Sequence, residues 1–456
     1  MFGLKITFIF LIITLSLHAG ILETAYKKGM NNNIDVKIAG SAVAYQNAAY
    51  KNVETLDNIY VQLDGYARYY IAQKSGLKDA NFGLPDKTVV DDFVKANLNF
   101  TISKDLYNKS IDSQQTLGSK AVQKAKDFFQ QNKQDLVYDI TILYIEILKA
   151  YDALELSKAN LEVINNEYDK SKTDVSIGTI DSVELDVISS KRACIDSLSL
   201  ISLDRLNNAL SHFKMITHYD LQKINTLREN IDYQTIEIQK FDTYHNDMLK
   251  KNPKLKQMQT AIEIAKEQVN LVGSRYDPSL RAQIGYEYTQ NYTPIYLGRT
   301  YESGAYVGLS AVIPLYTGGR NDTAKQKASQ NIQCEILKKL KVEQDMRFSL
   351  QQEYRNLLTN RIQIEASRSR VASLKNLYEQ AKIKMQVGQM EGTELSKIYY
   401  KYLKSETEKR EYEYSYFLAK NNLEHISGVN NLENLLIIDN MLTNDAVNIE
   451  NLKKEL

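Results

Sequence analysis

Few side chains in this sequence could do covalent chemistry. Five histidines, His18, His212, His218, His245 and His425, are scattered along 456 residues with no H-E-x-x-H spacing and no Cys/His cluster, so a metal site is not expected. G-x-S-x-G is absent, as is a phosphate loop ending in G-K-[ST], which argues against an activated serine and against nucleotide hydrolysis. No enzyme activity and no cofactor are expected. Cys194 and Cys334, the only cysteines, lie in helical stretches and are expected to be small buried hydrophobes rather than a disulfide. The notable chemistry is carboxylate and glycine chemistry at two matched places. VSIGTIDSVEL surrounds Gly178 and MQVGQMEGTEL surrounds Gly388; 388 less 178 is 210, and Glu184-Leu185 falls on Glu394-Leu395 at the same offset. Glycine reaches the left-handed conformation that ends a helix. Asp181 or Ser182, and Thr393, are candidate caps for a helix that restarts after each glycine.

The elements that must hold these breaks are long helices. Laying residue n on n+210 from 144 to 218 puts Tyr144 on Tyr354, Leu148 on Leu358, Glu155 on Glu365, Tyr168 on Tyr378 and Ala209 on Ala419, an internal repeat. Within it Ile147, Leu154, Leu161, Tyr168 and Val175 recur every seven residues, as do Leu357, Ile364, Val371, Tyr378 and Met385. A sustained seven-residue seam implies left-handed supercoiling against a neighbouring helix. Both series stop at the glycine.

Upstream of each long helix the period changes to two. Ile59, Val61, Leu63, Gly65, Ala67, Tyr69 and Ile71 share one face, opposite Tyr60, Gln62, Asp64, Tyr66, Arg68 and Tyr70. Val94 to Ile102, Ala282 to Tyr288 and Val307 to Ile313 alternate in the same way. Four such segments, paired across Gly/Pro/Asn/Asp-bearing loops, predict two β-hairpins. Here the copies match at a larger offset: Gly65-Tyr66 sits on Gly285-Tyr286, and 285 less 65 is 220, so length differs in the loop region. Tyr69, Tyr70, Tyr292, Tyr296 and Tyr301 cluster at strand ends like an aromatic girdle.

With 57 basic and 56 acidic groups, bulk charge points to no nucleic acid. The start, MFGLKITFIFLIITLSLHAG, has Lys5, an apolar run from Ile6 to Leu17 and small Ala19, the order of a secretory signal, so the mature chain is expected to begin near Gly20. No later stretch offers about 20 consecutive apolar residues, so any membrane span must be β. Four strands leave two open edges, which lipid does not tolerate, so the barrel must close between chains; three copies give twelve strands and room for water.

These features, with the junction VIPLYTGGRNDTAKQKA at 312 to 328, resemble the TolC family of outer-membrane efflux proteins over nearly the whole mature chain. The specific pieces are Pro314-Leu315-Tyr316 before Gly318-Gly319, where strand passes into helix, and the twin glycine stretches. The first half reads TISKDLYNKS instead, so only one copy carries the junction. The resemblance implies a mainly α fold with membrane β: a trimer whose four transmembrane strands per chain complete a twelve-stranded barrel, continued by a periplasmic α-barrel of coiled-coil helices. About 70 residues from 317 to 386 would reach about 100 Å as one helix.

It further implies a passive bacterial outer-membrane channel projecting into the periplasm, exporting drugs, proteins or other solutes for a tripartite efflux or type I secretion system. Its partners would be two sister chains, a periplasmic adaptor (membrane fusion) protein, an inner-membrane pump and outer-membrane lipid. Gly178, Thr179, Gly388 and Gln389 would be the adaptor-docking tips. Of two acidic positions that ring the aperture, Glu394 matches the first and Lys397 falls on the second, so Glu391, Asp181 and Glu184 join Glu394 as gate candidates. The expected division is a signal peptide at 1–19, a first repeat at 20–218 with a hairpin at about 58–103, a second at 219–428 with a hairpin at about 280–315, and a tail at 429–456. Each repeat has a leading helix, the hairpin, a long helix to Gly178 or Gly388, and a returning helix. The same pattern read without lipid is a secreted or surface coiled-coil adhesin or scaffold with a soluble β cap, which would fractionate without detergent.

Overall fold

In a computed structural model of the chain, residues 20–77, 87–229, 231–293 and 298–454 are described. The expected signal at 1–19, Tyr296 and the side chain of Tyr292 lie outside the described residues. In order the elements are α1 (Ile21–Asn32), α2 (Ile34–Glu54), β1 (Tyr60–Leu77), β2 (Lys87–Tyr107), α3 (Lys109–Ser176), α4 (Ser182–Thr217), β3 (Lys223–Leu227) and α5 (Phe241–Lys251). Then come α6 (Pro253–Gly273), β4 (Ser279–Thr293), β5 (Gly298–Val312), α7 (Arg320–Gln386), α8 (Gly392–Ile426), α9 (Leu432–Asp439), β6 (Leu442–Asn448) and α10 (Ile449–Lys454). The fold is mainly α, dominated by α3 with 68 residues and α7 with 67.

Contacts divide the chain into two compact units. One contains the described residues of Ser41–Asp127 and Gln257–Leu340. Its centre is an antiparallel sheet in the order β1-β2-β4-β5. Register lines up the alternating faces: Val61 pairs Ile102, Ile102 pairs Ile284 and Ile284 pairs Val307, while Leu63, Phe100, Tyr286 and Ala305 form the next apolar row. The opposite face carries polar contacts, with Asn97 Nδ2 donating to Glu287 Oε1 at 2.9 Å and to Thr289 Oγ1 at 2.8 Å. The apolar face is uncovered in the single chain: Val307 is 81 % exposed and Leu63 65 %.

The repeat offset through the strands is corrected by the structure. Faces alternate with a period of two. An offset of 220 would put Gly65, on the apolar face with Leu63, onto Gly285, which lies on the face of Gln283 and Glu287. The single 3₁₀ turns before each hairpin, Thr55–Asp57 and Ser274–Tyr276, differ by 219 (274 less 55), and that odd number keeps apolar on apolar. Gly285 is glycine for a local reason, since a β-carbon there would lie 2.5 Å from the Tyr306 ring.

The other unit contains the described residues of Met1–Gly40, Phe128–Lys256 and Lys341–Leu456. Tyr144, Phe213, Tyr233, Tyr416, Leu22 and Leu206 are among its fully buried side chains. A small sheet, β3 with β6, brings residues from the expected tail into this core, with Leu442 and Ile449 buried. The heptad seam is tight at one end and open at the other: Ile147 and Leu154 are 0 % exposed, Tyr168 and Val175 are half-buried, and Met385 is exposed. Both cysteines are exposed, not buried as expected. Cys194 stands one position, about 100° around the helix, from the buried Ile195, and the Cys334 stretch of α7 shows mainly exposed residues.

Candidate functional site

The two glycine breaks fold into the same turn. Gly178 has φ +76° and Gly388 φ +73°, a left-handed conformation that disfavours any side chain. In the first copy Gly178 N donates to Val175 O at 3.0 Å and Thr179 N to Asp174 O at 2.9 Å; in the second Gly388 N donates to Met385 O at 3.0 Å and Gln389 N to Lys384 O at 2.8 Å. This is the Schellman pattern, which satisfies the last carbonyls of α3 and α7. All four tip residues, Gly178, Thr179, Gly388 and Gln389, are exposed.

The restarts differ. Asp181 is the N-cap of α4, its carboxylate accepting from Val183 N. Thr393 is not the cap of α8: the helix already begins at Gly392, and the position equivalent to Asp181 is Glu391, since 181 plus 210 is 391. Glutamate is one methylene longer than aspartate, and Glu391 makes no cap bond; its carboxylate pairs instead with Lys170 Nζ of α3. That ammonium holds Glu391 below the ordinary carboxylate range. Glu184 and Glu394 occupy the first turns of α4 and α8 and are exposed, favourable places for negative charge at a helix N-terminus. Backbone bonds link them in pairs, Glu184 N donating to Asp181 O at 3.1 Å and Glu394 N to Glu391 O at 3.2 Å, and among the described residues no side-chain hydrogen bond joins any two of the four carboxylates.

The partners that sequence reasoning missed lie mostly on α3. Lys397, at the position where a second acid was expected, reaches Glu167 Oε1 at 3.3 Å, and Glu167 also receives Lys191 of α4 at 3.6 Å. Asn166 Nδ2 donates to Ser396 Oγ at 2.8 Å. These contacts with Lys170–Glu391 form an exposed polar latch between α3 and α8 beside the tips.

A second tie between the same helices is buried. Asp152 accepts from Arg410 Nη1 at 2.8 Å and from Tyr414 Oη at 2.6 Å. Burial pushes the Asp152 carboxyl up, and Arg410 and Tyr414 oppose that shift. Nearby Glu413 is 2 % exposed, with Lys409 Nζ 4.0 Å away; burial pushes its carboxyl up to about 7 against the pull of Lys409, Arg410 and Arg368. Only spacing between two distant helices could have revealed these pairs, and a single sequence carries no such register.

The strand–helix junction appears once, as its sequence does. Between β5 and α7, Gly318 and Gly319 both take positive φ, +64° and +74°, after a half-buried Pro314 and the exposed Leu315 and Tyr316. In the first copy β2 runs to Tyr107 and α3 starts two residues later, with Asn108 Oδ1 accepting from Ser110 N at 3.2 Å.

The fold is a four-stranded sheet with two very long helices, each reversing at a glycine tip, and solved outer-membrane channels share it. The family model described as outer membrane efflux protein matches residues 245–429. The outer membrane protein TolC of Escherichia coli is 23 % identical over 323 residues, 68 % of this chain and 62 % of that protein. TolC of Vibrio cholerae is 20 % identical over 239 residues, 52 % of this chain and 54 % of that protein. The chain thus spans between about half and two thirds of the length of the curated relatives it matches. Among solved structures, the Campylobacter jejuni CmeC outer membrane channel superposes with a TM-score of 0.67 at 15 % identity, covering 93 % of this chain and 90 % of that one. The family match covers less than half of the chain and both TolC proteins are at most 23 % identical to it, so the chain is similar to outer membrane efflux proteins over that stretch and shares its fold with a solved outer membrane channel.

Proposed function

We propose that three copies of this chain form a passive outer-membrane channel that exports drugs, proteins or other solutes received from a periplasmic adaptor and an inner-membrane pump, in tripartite efflux or type I secretion. The sheet supports the trimer. Its edge strands β1 and β5 each have one neighbour, its apolar face is uncovered, and unpaired edge groups cost several kcal/mol each in lipid. Twelve strands from three chains remove those edges and leave an aqueous lumen. In this reading the two repeats, 20–218 and 219–428, supply equivalent strands and tips, and residues 1–19 direct export.

The observation that carries the mechanism is the polar latch of α8 on α3. Exposed ion pairs contribute little and are screened by salt, so this end of α8 is easily released while the buried tie holds. Opening is then the loosening of α8, and of α4, beyond the glycine tips, with Glu391 freed from Lys170 and Glu394, Asp181 and Glu184 exposed to the passing solute. Gly178, Thr179, Gly388 and Gln389 form the surface for an adaptor. Disulfides engineered between the two tips are expected to abolish flux in cells and restore it on reduction. Undiminished flux with the tips locked would overturn the mechanism.

A further inference from the structure

The start of α1 is capped by a residue more than 400 positions away. Asp439, last residue of α9, accepts from Leu22 N at 3.1 Å through Oδ1 and from Glu23 N at 3.0 Å through Oδ2. The carboxyl is partly buried, and no Lys, Arg or His among the described residues pairs with it. Burial pushes it up, and the amides of Leu22, Glu23 and Ile21 pull it back; Glu23 adds like charge, moderated by its own pair with Lys27 at 2.5 Å.

Gly20 is pressed against the same group. Its carbonyl is fixed by Thr24, whose N donates at 3.0 Å and Oγ1 at 2.9 Å. A β-carbon on Gly20 would lie 2.0 Å from Asp439 Oδ2 and 2.3 Å from its Cγ, so a larger residue there would have to displace the carboxylate. The backbone nitrogen of Gly20 is bonded to that same Cα. Gly20, Glu23, Tyr219, Lys223, Arg228 and Asp439 also border an open cleft of about 890 Å³. The Arg228 guanidinium is turned to Leu442 O at 2.9 Å rather than to this carboxylate.

We infer that Asp439 is the receptor for the α-ammonium of Gly20, a charge that exists only after the Ala19–Gly20 bond is hydrolysed. Water supplies the atoms: Ala19 leaves as a carboxylate and Gly20 gains the ammonium. The inference rests on reading residues 1–19 as a removed leader. Before cleavage Asp439 has amide donors but no cationic partner among the described residues; afterwards it holds a full positive charge, so maturation itself strengthens the tie of α1 to α9. The site selects a free amine, and an acylated residue 20 would lose the pair.

The test uses the full chain purified from outer membranes. N-terminal sequencing is expected to read GILET; any other start overturns both the leader boundary and the site. Acetylation of the α-amine near neutral pH, followed by mass spectrometry, is then compared in the native chain, in Asp439→Asn and in a free GILET peptide. The native amine is expected to react at least about 3-fold more slowly than the peptide, as half a pH unit of ammonium stabilisation requires, and Asp439→Asn to recover the difference. If Asp439→Asn fails to assemble, native against peptide still decides. A GILET start with equal reactivity in the native chain and the peptide would overturn the pairing and leave the leader reading intact.

Discussion

Two of the ties between helices α3 and α8 are built on opposite principles. At Asp152, Arg410 and Tyr414 the charges are buried and hydrogen-bonded, beside heptad positions Ile147 and Leu154 that are wholly covered. At Lys170, Glu391, Glu167 and Lys397 the charges are largely exposed, beside seam positions that are half-open. The residues are only 18 apart on α3 (170 less 152) and 19 apart on α8 (410 less 391). Breaking one partner of a buried pair strands a charge, whereas breaking an exposed pair returns both charges to water. One helix can therefore be anchored at one level and released at another.

The largest effect should come from attacking the anchor. Asp152→Ala leaves Arg410 and Tyr414 buried without their acceptor, and is expected to cost about 3–5 kcal/mol in denaturant unfolding. Loss of under about 1 kcal/mol would mean that α8 is not anchored there.

Next is the buried Glu413. Its carboxyl ordinarily titrates at 4.5 and is pushed up to about 7. The folded state thus holds the proton more tightly than the unfolded state. Its favourable contribution is complete below about pH 4.5 and is lost as pH rises through about 7, by up to about 3 kcal/mol. Glu413→Gln should flatten most of that slope in a pH series of unfolding curves. Asp139, pushed up to about 6 by burial and Asp135, should leave a smaller residual slope.

Smaller again is the turn. A β-carbon on Gly388 meets nothing within 4 Å, so Gly388→Ala is strained only by its positive φ and should cost about 1–2 kcal/mol, felt as faster proteolysis or hydrogen exchange at the tip. Identical protection in the variant would show that the tip does not hold this turn in solution.

How far these regions could be read in advance follows from how local their causes are. The tip glycines, the Asp181 cap and the four alternating strands depend on neighbours in sequence, and each is legible as type and spacing. The cap of α8 was misplaced because Thr393 is a good capping residue by type, while the backbone starts the helix at Gly392. The offset of 220 rested on a Gly-Tyr match, and only the pairing of Val61, Ile102, Ile284 and Val307 shows which face each residue takes. The pairs Asp152–Arg410 and Lys397–Glu167, and the β3–β6 sheet, join residues more than 200 positions apart, so nothing local announces them.

The smallest expected stability effect is at the latch, and it is also the functional heart of the comparison. Lys170→Gln with Lys397→Gln should leave unfolding unchanged while freeing Glu391 and leaving Glu167 to Lys191 of α4 alone. Conductance of the purified protein in a planar lipid bilayer decides the matter. On the proposed reading the native protein should show a small, stable conductance and the double variant a clearly larger one. Purified protein that neither inserts nor conducts, or equal conductance with and without the latch, would contradict a channel gated at these tips.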